Sequence, residues 1–216
     1  MSYVEQFLLI AAVHLLAVAS PGPDFAIILK QSIRYDRRTA VFTSFGIATG
    51  ILLHVTYSLV GIGLIIASDE RLFTALKYIA ASYFCYIAWH GLRAKKPEKD
   101  SRELLVADNV GHNNQTPSAK KAFFTGFLIN GLNVKATLFF VSLFSVIIAP
   151  QTPFSIKLSY GLYMTLATAA WFVFLSYLLT HHRIRHFLQI KGYVLDRVMG
   201  GVLLLLAVQL VLSDIK

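Results

Sequence analysis

Charged residues are scarce in this chain of 216 residues. Asp, Glu, Lys and Arg make up 14% of the sequence, whereas they make up about 25% of a typical soluble domain. A surface that faces water on all sides needs more charge, so the composition excludes an ordinary soluble globular protein. Hydrophobic residues reach 56%, and this excess indicates that most of the molecular surface faces lipid.

Cysteine is nearly absent as well, since the chain has only Cys85, inside an apolar segment. One cysteine excludes an internal disulfide, a thiolate metal cluster and a dithiol carrier. We expect Cys85 to be buried as a small hydrophobic residue. His181, His182 and His186 lie close together but among arginines, which disfavour a bound cation. We therefore predict no metal and no cofactor.

Six segments of mostly apolar residues are present, and most have the length of about 20 residues with which a helix crosses a bilayer. They cover roughly residues 7–29, 39–67, 72–92, 122–149, 158–180 and 198–212. The sequence therefore predicts an all-α integral membrane protein with six transmembrane helices.

The net charge of +9 comes from Lys and Arg residues concentrated in every second loop. A basic balance can indicate nucleic-acid binding, but this alternation is typical of the cytoplasmic loops of a membrane protein. We therefore predict no nucleic-acid partner, three basic loops inside the cell and both termini outside. The basic residues are Lys30, Arg34, Arg37, Arg38, Arg93, Lys95, Lys96, Lys99, Arg102, Lys120, Lys121, Arg183, Arg185, Lys191 and Arg197.

A polar stretch of mixed charge at residues 94–121 divides the chain, and its composition is typical of a cytoplasmic linker. It leaves three predicted helices in residues 1–93 and three in residues 122–216. Because three is odd, the second set must cross the membrane with the opposite orientation. We therefore predict two inverted three-helix repeats, a common plan for secondary transporters.

The first predicted helix contains the sequence Ser20-Pro21-Gly22-Pro23-Asp24. Its prolines remove backbone donors, and a broken helix is tolerated in a membrane only within protein or beside a watery cavity. A carboxylate at membrane depth indicates function by default, so Asp24 could accept a proton or bind an ammonium group. The alternative is a kink near the inner interface in which Asp24 caps the resumed helix.

Asn130, Asn133 and Lys135 interrupt the fourth predicted helix. At 1.5 Å per residue from Ala122, Lys135 lies about 20 Å from the cytoplasmic end, so its ammonium group needs a partner or a watery cavity. Lys135 could hold a substrate carboxylate, or it could form an ion pair that only stabilises packing. Whether Lys135 touches Asp24 stays open at this point.

Several residues have two interpretations. His54 and His14 could relay protons or simply hydrogen-bond to a neighbouring helix. Asp196 and Arg197 are expected to form a local cap and charge pair at the start of the sixth predicted helix. Small residues let membrane helices approach closely, and we expect such contacts at Gly46, Gly50, Gly61, Gly63, Gly126, Gly200 and Gly201.

Two of these motifs resemble the LysE/RhtB family of amino-acid exporters, in particular its threonine- and homoserine-exporting branch. Residues 13–25 resemble the region of the family that carries its Pro-Gly-Pro-Asp motif, and residues 126–140 resemble its Asn-Pro-Lys motif with the aromatic residues that follow. Val134 replaces the proline of the second motif, so we expect the second helix break to be milder. The resemblance covers nearly the whole chain.

The resemblance implies a secondary transporter that exports small amino acids in exchange for protons across the cytoplasmic (inner) membrane of a bacterium. The implied partners are the amino acid, protons and the bilayer, with no enzyme activity and no cofactor. Carried over by position, the residues expected to line the path are Pro21, Gly22, Pro23, Asp24, Asn133 and Lys135.

Other interpretations remain beside this one. The chain could be a transporter or channel for another small solute. An intramembrane protease is disfavoured because the sequence has no Gly-x-Ser-x-Gly nucleophile motif. A homo-oligomer is possible, since lipid-facing and partner-facing apolar surfaces look alike in composition.

Overall fold

The computed structural model describes residues 2–68, 70–95, 116–149, 151–179 and 181–213. Within these ranges the regular structure is entirely α-helical. The helices are α1 Tyr3–Ala19, α2 Pro23–Arg34, α3 Arg37–Ser68, α4 Glu70–Leu92, α5 Ala119–Gly131, α6 Val134–Val146, α7 Phe154–Leu178 and α8 His182–Ser213. Most of the predicted linker, residues 96–115, lies outside the described residues.

Two helices are long and apolar enough to cross a membrane alone, over Arg37–Gly61 and Phe154–Leu178. Two bent pairs, α1 with α2 and α5 with α6, pass the same test together. The described residues therefore contain two to four candidate spans, and the count of six stays a prediction. Large apolar side chains on the outer surface, such as Leu8, Leu166 and Leu205, are more than half exposed, which suits a lipid environment.

The first helix break lies where the sequence predicts it. α1 ends at Ala19, its C-cap Ser20 is extended, and α2 begins at Pro23, with Gly22 as its N-cap. Proline suits the first helical position because the backbone N–H that it lacks would have no intrahelical partner there. The axes of α1 and α2 meet at a bend of 50°.

The second break is not milder than the first, so the expectation drawn from Val134 is wrong. The bend between α5 and α6 is 58°. Asn133 explains it, because its Oδ1 accepts hydrogen bonds from the backbone amides of Lys135 at 3.0 Å and Ala136 at 3.4 Å. This side-chain cap starts α6 without a proline.

The last helix begins earlier than predicted. α8 starts at His182, so the stretch from residue 182 to residue 197, expected as a basic loop, is helical. Lys and Arg have good helix propensity, and hydropathy shows where a lipid-facing surface starts rather than where a helix starts. Cys85 also differs from expectation, because its side chain is exposed on α4.

Glycines bring two helix pairs into close contact, as expected. A methyl group on Gly46 of α3 would collide with the backbone of Phe123 in α5, and one on Gly126 would collide with Thr43. A methyl group on Gly200 of α8 would lie 2.8 Å from the Ala88 carbonyl oxygen of α4. The expectation is wrong for Gly61 and Gly201, where nothing lies within 4 Å, and Gly63 has no described side-chain environment.

Asp36 caps the start of α3. Its Oδ1 accepts a hydrogen bond of 2.6 Å from the Thr39 amide, as an N-cap aspartate does. Hydrogen bonds from the Thr39 side chain and backbone hold the pKa of this exposed carboxyl below its usual range. Asp36 therefore has a local structural role outside the membrane-spanning segments.

Candidate functional site

A cavity of about 60 Å³ lies at the level of the two helix breaks. One water needs about 10–15 Å³ on this scale, so the cavity has room for about four waters. Of the six residues expected to line the path and the two further candidates, Asn130 and His54, six border it: Gly22, Pro23, Asp24, Asn130, Asn133 and Lys135. Pro21 and His54 are not among its lining residues.

Asp24 lies in the first turn of α2, and its carboxylate accepts hydrogen bonds from two side-chain amides at the second helix break. Asn130 Nδ2 donates to Asp24 Oδ2 over 2.9 Å, and Asn133 Nδ2 donates to the same oxygen over 3.4 Å. The break between α5 and α6 therefore positions both amides on one carboxylate oxygen. The alternative in which Asp24 only caps its own helix is not what the structure shows, since α2 has no side-chain cap hydrogen bond.

Lys135 lies on the other side of the same space, at the first turn of α6. Its Nζ donates to Ser20 Oγ over 3.1 Å, and Ser20 Oγ donates to Asp196 Oδ1 over 2.6 Å. Lys135 and Asp196, which carry opposite charges, thus hydrogen-bond to the same hydroxyl group. Ser20 can serve both because a hydroxyl donates once and accepts twice.

Asp196 is therefore not the local cap that the sequence suggested. Its carboxylate reaches across to the end of α1, while Arg197 donates from Nε to the Ala94 carbonyl oxygen over 3.0 Å and lies over the Tyr193 ring. Sequence reasoning missed this contact because Ser20 and Asp196 are 176 positions apart. The sequence did contain one signal. Asp196 lies four residues before Gly200 and therefore on the same side of α8, which is the side that meets α4.

A second, larger space of about 590 Å³ lies between α4, α6 and α8. Tyr83, Tyr86, His90 and Asp196 border it. We call it the vestibule. Lys135, Ile87 and Met199 border both the vestibule and the cavity, so Lys135 stands in the wall between the two spaces.

Two buried oxygens of residues that line the cavity have no hydrogen-bond partner among the described residues. They are Asp24 Oδ1 and Asn130 Oδ1. Buried polar atoms are satisfied in the great majority of cases, and a carboxylate or amide oxygen can only accept hydrogen bonds. Asn130 Oδ1 lies against Gly50 of α3, so the site presents one free acceptor, Asp24 Oδ1, next to the donors of Lys135 and Asn133.

His54 of α3 contacts the site residue Asn130 from outside the cavity. Its Nε2 lies 2.9 Å from the Asn130 carbonyl oxygen, its Nδ1 contacts the Tyr57 hydroxyl, and its ring stacks on Phe140 at 5.6 Å. A carbonyl only accepts, so Nε2 carries the proton and Nδ1 accepts from Tyr57. Both nitrogens are satisfied, which fits the interpretation of His54 as a hydrogen-bond partner of a neighbouring helix.

The described residues contain no group of three His, Cys, Asp or Glu side chains arranged to hold a metal ion. The side chains of His182 and His186 lie outside that description. The cavity instead combines amides, one carboxylate and one ammonium group with aromatic walls, which is a set suited to a small polar organic molecule.

Similar proteins agree with a transport role. A threonine efflux protein of Salmonella typhi is 27% identical over 207 residues, which are 96% of this chain and 98% of that protein. The threonine efflux protein of Escherichia coli strain K12 is 27% identical over 208 residues, with the same coverage. An uncharacterized membrane protein of Bacillus subtilis is 28% identical over 167 residues, 76% of this chain and 78% of its own length.

No solved structure matches this chain. The family assignment therefore rests on sequence, and the match covers both helix breaks. Residues 15–214 match the sequence profile of the LysE type translocators. The chain belongs to the LysE type translocator family.

Proposed function

We propose that this protein is a secondary transporter that exports small amino acids of the threonine and homoserine kind from the bacterial cytoplasm in exchange for protons. The family assignment supports amino-acid export. The name of its relatives, threonine efflux proteins, supports the small hydroxylated substrate.

One observation carries the proposal, namely that a free carboxylate acceptor and the donors of Lys135 and Asn133 meet around one cavity. An amino-acid zwitterion has an ammonium group with three donors and a carboxylate that only accepts. Asp24 Oδ1 would take the ammonium group, while Asn130 holds the other oxygen of the same carboxylate. Lys135 and Asn133 would take the carboxylate, with Lys135 releasing Ser20 as it does so.

Release of Ser20 would open the wall between the cavity and the vestibule. Ser20 links Lys135 on α6 to Asp196 on α8, and both charged residues border the vestibule. A substrate arriving there would compete for both charges at once. The vestibule lies beside the C-terminal end of α4, which the basic residues that follow it assign to the cytoplasm in the proposed orientation.

The order of elements supports two inverted repeats. Each half has a bent pair followed by two longer helices: α1–α2, α3 and α4, then α5–α6, α7 and α8. In the proposed inner-membrane topology both termini lie outside. The two halves would rock against each other about the breaks, which is the usual route to alternating access in such folds.

Asp24 is the proposed coupling residue. Its carboxylate can carry either the ammonium group or a proton, and binding of one excludes the other. The cavity holds about four waters, fewer than the eight non-hydrogen atoms of threonine, so loading requires the space to widen. This coupling of binding to movement is what an exchanger needs.

The substitution Asp24→Asn tests the function. Asparagine keeps an acceptor for Asn130 and Asn133 but loses the charge, and loss of a buried charge partner costs about 2–5 kcal/mol. Cells that express the chain are loaded with a threonine-containing dipeptide, and all released amino acids are quantified. We expect export to fall at least about 30-fold in Asp24→Asn.

Asp36→Asn is the matched control, because asparagine also caps helices well and Asp36 lies outside the cavity. It should export at the rate of the intact chain. If the intact chain releases no amino acid faster than empty cells, the function is wrong and another small solute is the substrate. If Asp24→Asn exports normally, Asp24 has no part in the mechanism.

A further inference from the structure

The end of the cavity away from the two breaks is also polar. His14 of α1 and Thr168 of α7 both border it, and their exposed fractions are 0% and 1%. His14 Nε2 lies 3.2 Å from Thr168 Oγ1. In the proposed function the residues at the helix breaks bind the ammonium and carboxylate groups, and neither His14 nor Thr168 has a part in that binding.

The His14 imidazole is missing a partner. Its Nδ1 is buried and has no hydrogen-bond partner among the described residues. The ring is held in place by edge contacts to Phe140 and Tyr163, with centroid distances of 6.1 and 6.4 Å. A buried polar atom without a partner costs free energy, and His14 lines the cavity, from which a ligand can supply one.

The separation of this pair from the charged groups matches a small substrate. Ser20, whose hydroxyl accepts from Lys135, marks the position of the charged groups along α1. His14 precedes Ser20 by six residues, about 9 Å along the helix axis. Two hydrogen bonds of about 2.9 Å account for about 6 Å of that separation. The rest corresponds to the few bonds that join the carboxylate of a small amino acid to a hydroxyl group on its side chain.

A hydroxyl group suits His14 in either tautomer. If Thr168 donates to Nε2, Nδ1 carries the proton and donates; if Thr168 accepts, Nδ1 is an acceptor. A hydroxyl group can meet both cases because it donates and accepts. An aliphatic side chain of the same shape leaves Nδ1 unpaired in both.

We propose that His14, positioned by its hydrogen bond to Thr168, binds the side-chain hydroxyl group of the exported amino acid and so selects hydroxylated substrates over aliphatic ones of the same size. This inference rests on the proposed function and adds the residue that determines specificity. Sites built to hydrogen-bond a hydroxyl group reject analogues without it strongly, because the buried partner then stays unpaired.

Threonine and valine test the inference, because they have nearly the same shape and differ in one hydroxyl group. Purified protein is reconstituted into vesicles loaded with equal amounts of both, and the release rates are compared. Loss of one buried hydrogen bond is worth about a factor of ten, so we expect the intact chain to release threonine at least about tenfold faster. The ratio should fall to about one in His14→Leu.

Two further variants separate recognition from packing. His14→Asn keeps a hydrogen-bonding group near the position of Nδ1 and should retain a preference for threonine. Thr168→Val removes the positioning bond and should lower the preference without abolishing export. The matched control is Thr165→Val on the same helix, whose hydroxyl donates to the Gly161 carbonyl oxygen over 3.0 Å and does not line the cavity.

The outcomes are distinct. A ratio that is unchanged in His14→Leu overturns the inference while amino-acid export stands. An intact chain that releases threonine and valine equally also overturns it. An intact chain that releases no amino acid overturns the proposed function, and this inference with it.

Discussion

Gly50 sets how closely α3 approaches Asn130. A methyl group at Gly50 would lie 2.6 Å from Asn130 Oδ1 and 3.0 Å from Asn130 Cβ. Asn130 cannot turn away freely, because its other amide atom holds Asp24. Gly50 therefore fixes the position of Asn130, which lines the cavity, although Gly50 itself does not.

Gly50→Ala should reduce export at least about tenfold, because the added methyl group displaces Asn130 and with it the Asp24 carboxylate, and small misplacements at a site are costly. The measurement is threonine release at matched protein level in the membrane. Gly61→Ala is the control on the same helix, since nothing lies within 4 Å of its added methyl group. Equal export by the two variants would contradict this account of Gly50.

At the scale of single residues, the sequence predicted the groups but not their partners. Asp24, Asn130 and Lys135 stand out because polar groups in apolar helices need an explanation. Nothing local indicates that Ser20 joins Lys135 to Asp196, or that His14 meets Thr168, 154 positions away. Such pairs depend on how helices rotate about their axes, which composition does not encode.

At the scale of elements, the second break depends on Asn133 more than on Val134. Asn133 both caps α6 and donates to Asp24, whereas Val134 occupies the first helical position. Proline is favourable at that position, so Val134→Pro should preserve export and leave thermal stability in detergent equal or slightly higher.

Asn133→Ala should lower stability by about 1 kcal/mol through the lost cap and also reduce export, because one donor to Asp24 is lost. Asn133→Asp keeps a capping oxygen but brings a second carboxylate beside Asp24, so it should not recover export, and repulsion between the two carboxylates should offset the stability gained from the cap. The checks are the melting temperature in detergent and the threonine release rate. Full export by Asn133→Ala would contradict this role of Asn133 at the second helix break.

Hydrophobic segments predicted most helices closely because each must be long enough to cross lipid. Their ends were predicted less well. α8 continues through a stretch rich in Arg and Lys to His182, since a helix emerging from lipid keeps its backbone hydrogen bonds while its side chains meet headgroups and water.

At the scale of the whole molecule, the orientation is testable with single cysteines. In a Cys85→Ser background, Ser2→Cys should react with a membrane-impermeant maleimide added to intact cells, because the proposed topology has the N-terminus outside. Lys95→Cys should react only after the cells are opened. Labelling of Lys95→Cys in intact cells would reverse the proposed orientation and assign the vestibule to the outer face.

The class of molecule was predictable from composition, whereas the number of spans was predicted from the count of apolar segments and the inverted repeat only from the odd number of segments in each half. The number of membrane crossings says nothing about how the helices pack. The close contacts of α3 with α5 and of α4 with α8 supply that packing, and their glycines were visible in the sequence without their partners.

The balance of charge in the cavity has an energetic consequence. Asp24 and Lys135 contribute one formal charge of each sign, and a zwitterion adds none. In an exchange of one zwitterion for one proton, the cycle therefore moves one net positive charge inward. Such a cycle is electrogenic, and a membrane potential of 100 mV adds about 2.3 kcal/mol to the driving force. Export would then continue in cells whose pH gradient has collapsed, as long as they remain electrically polarised.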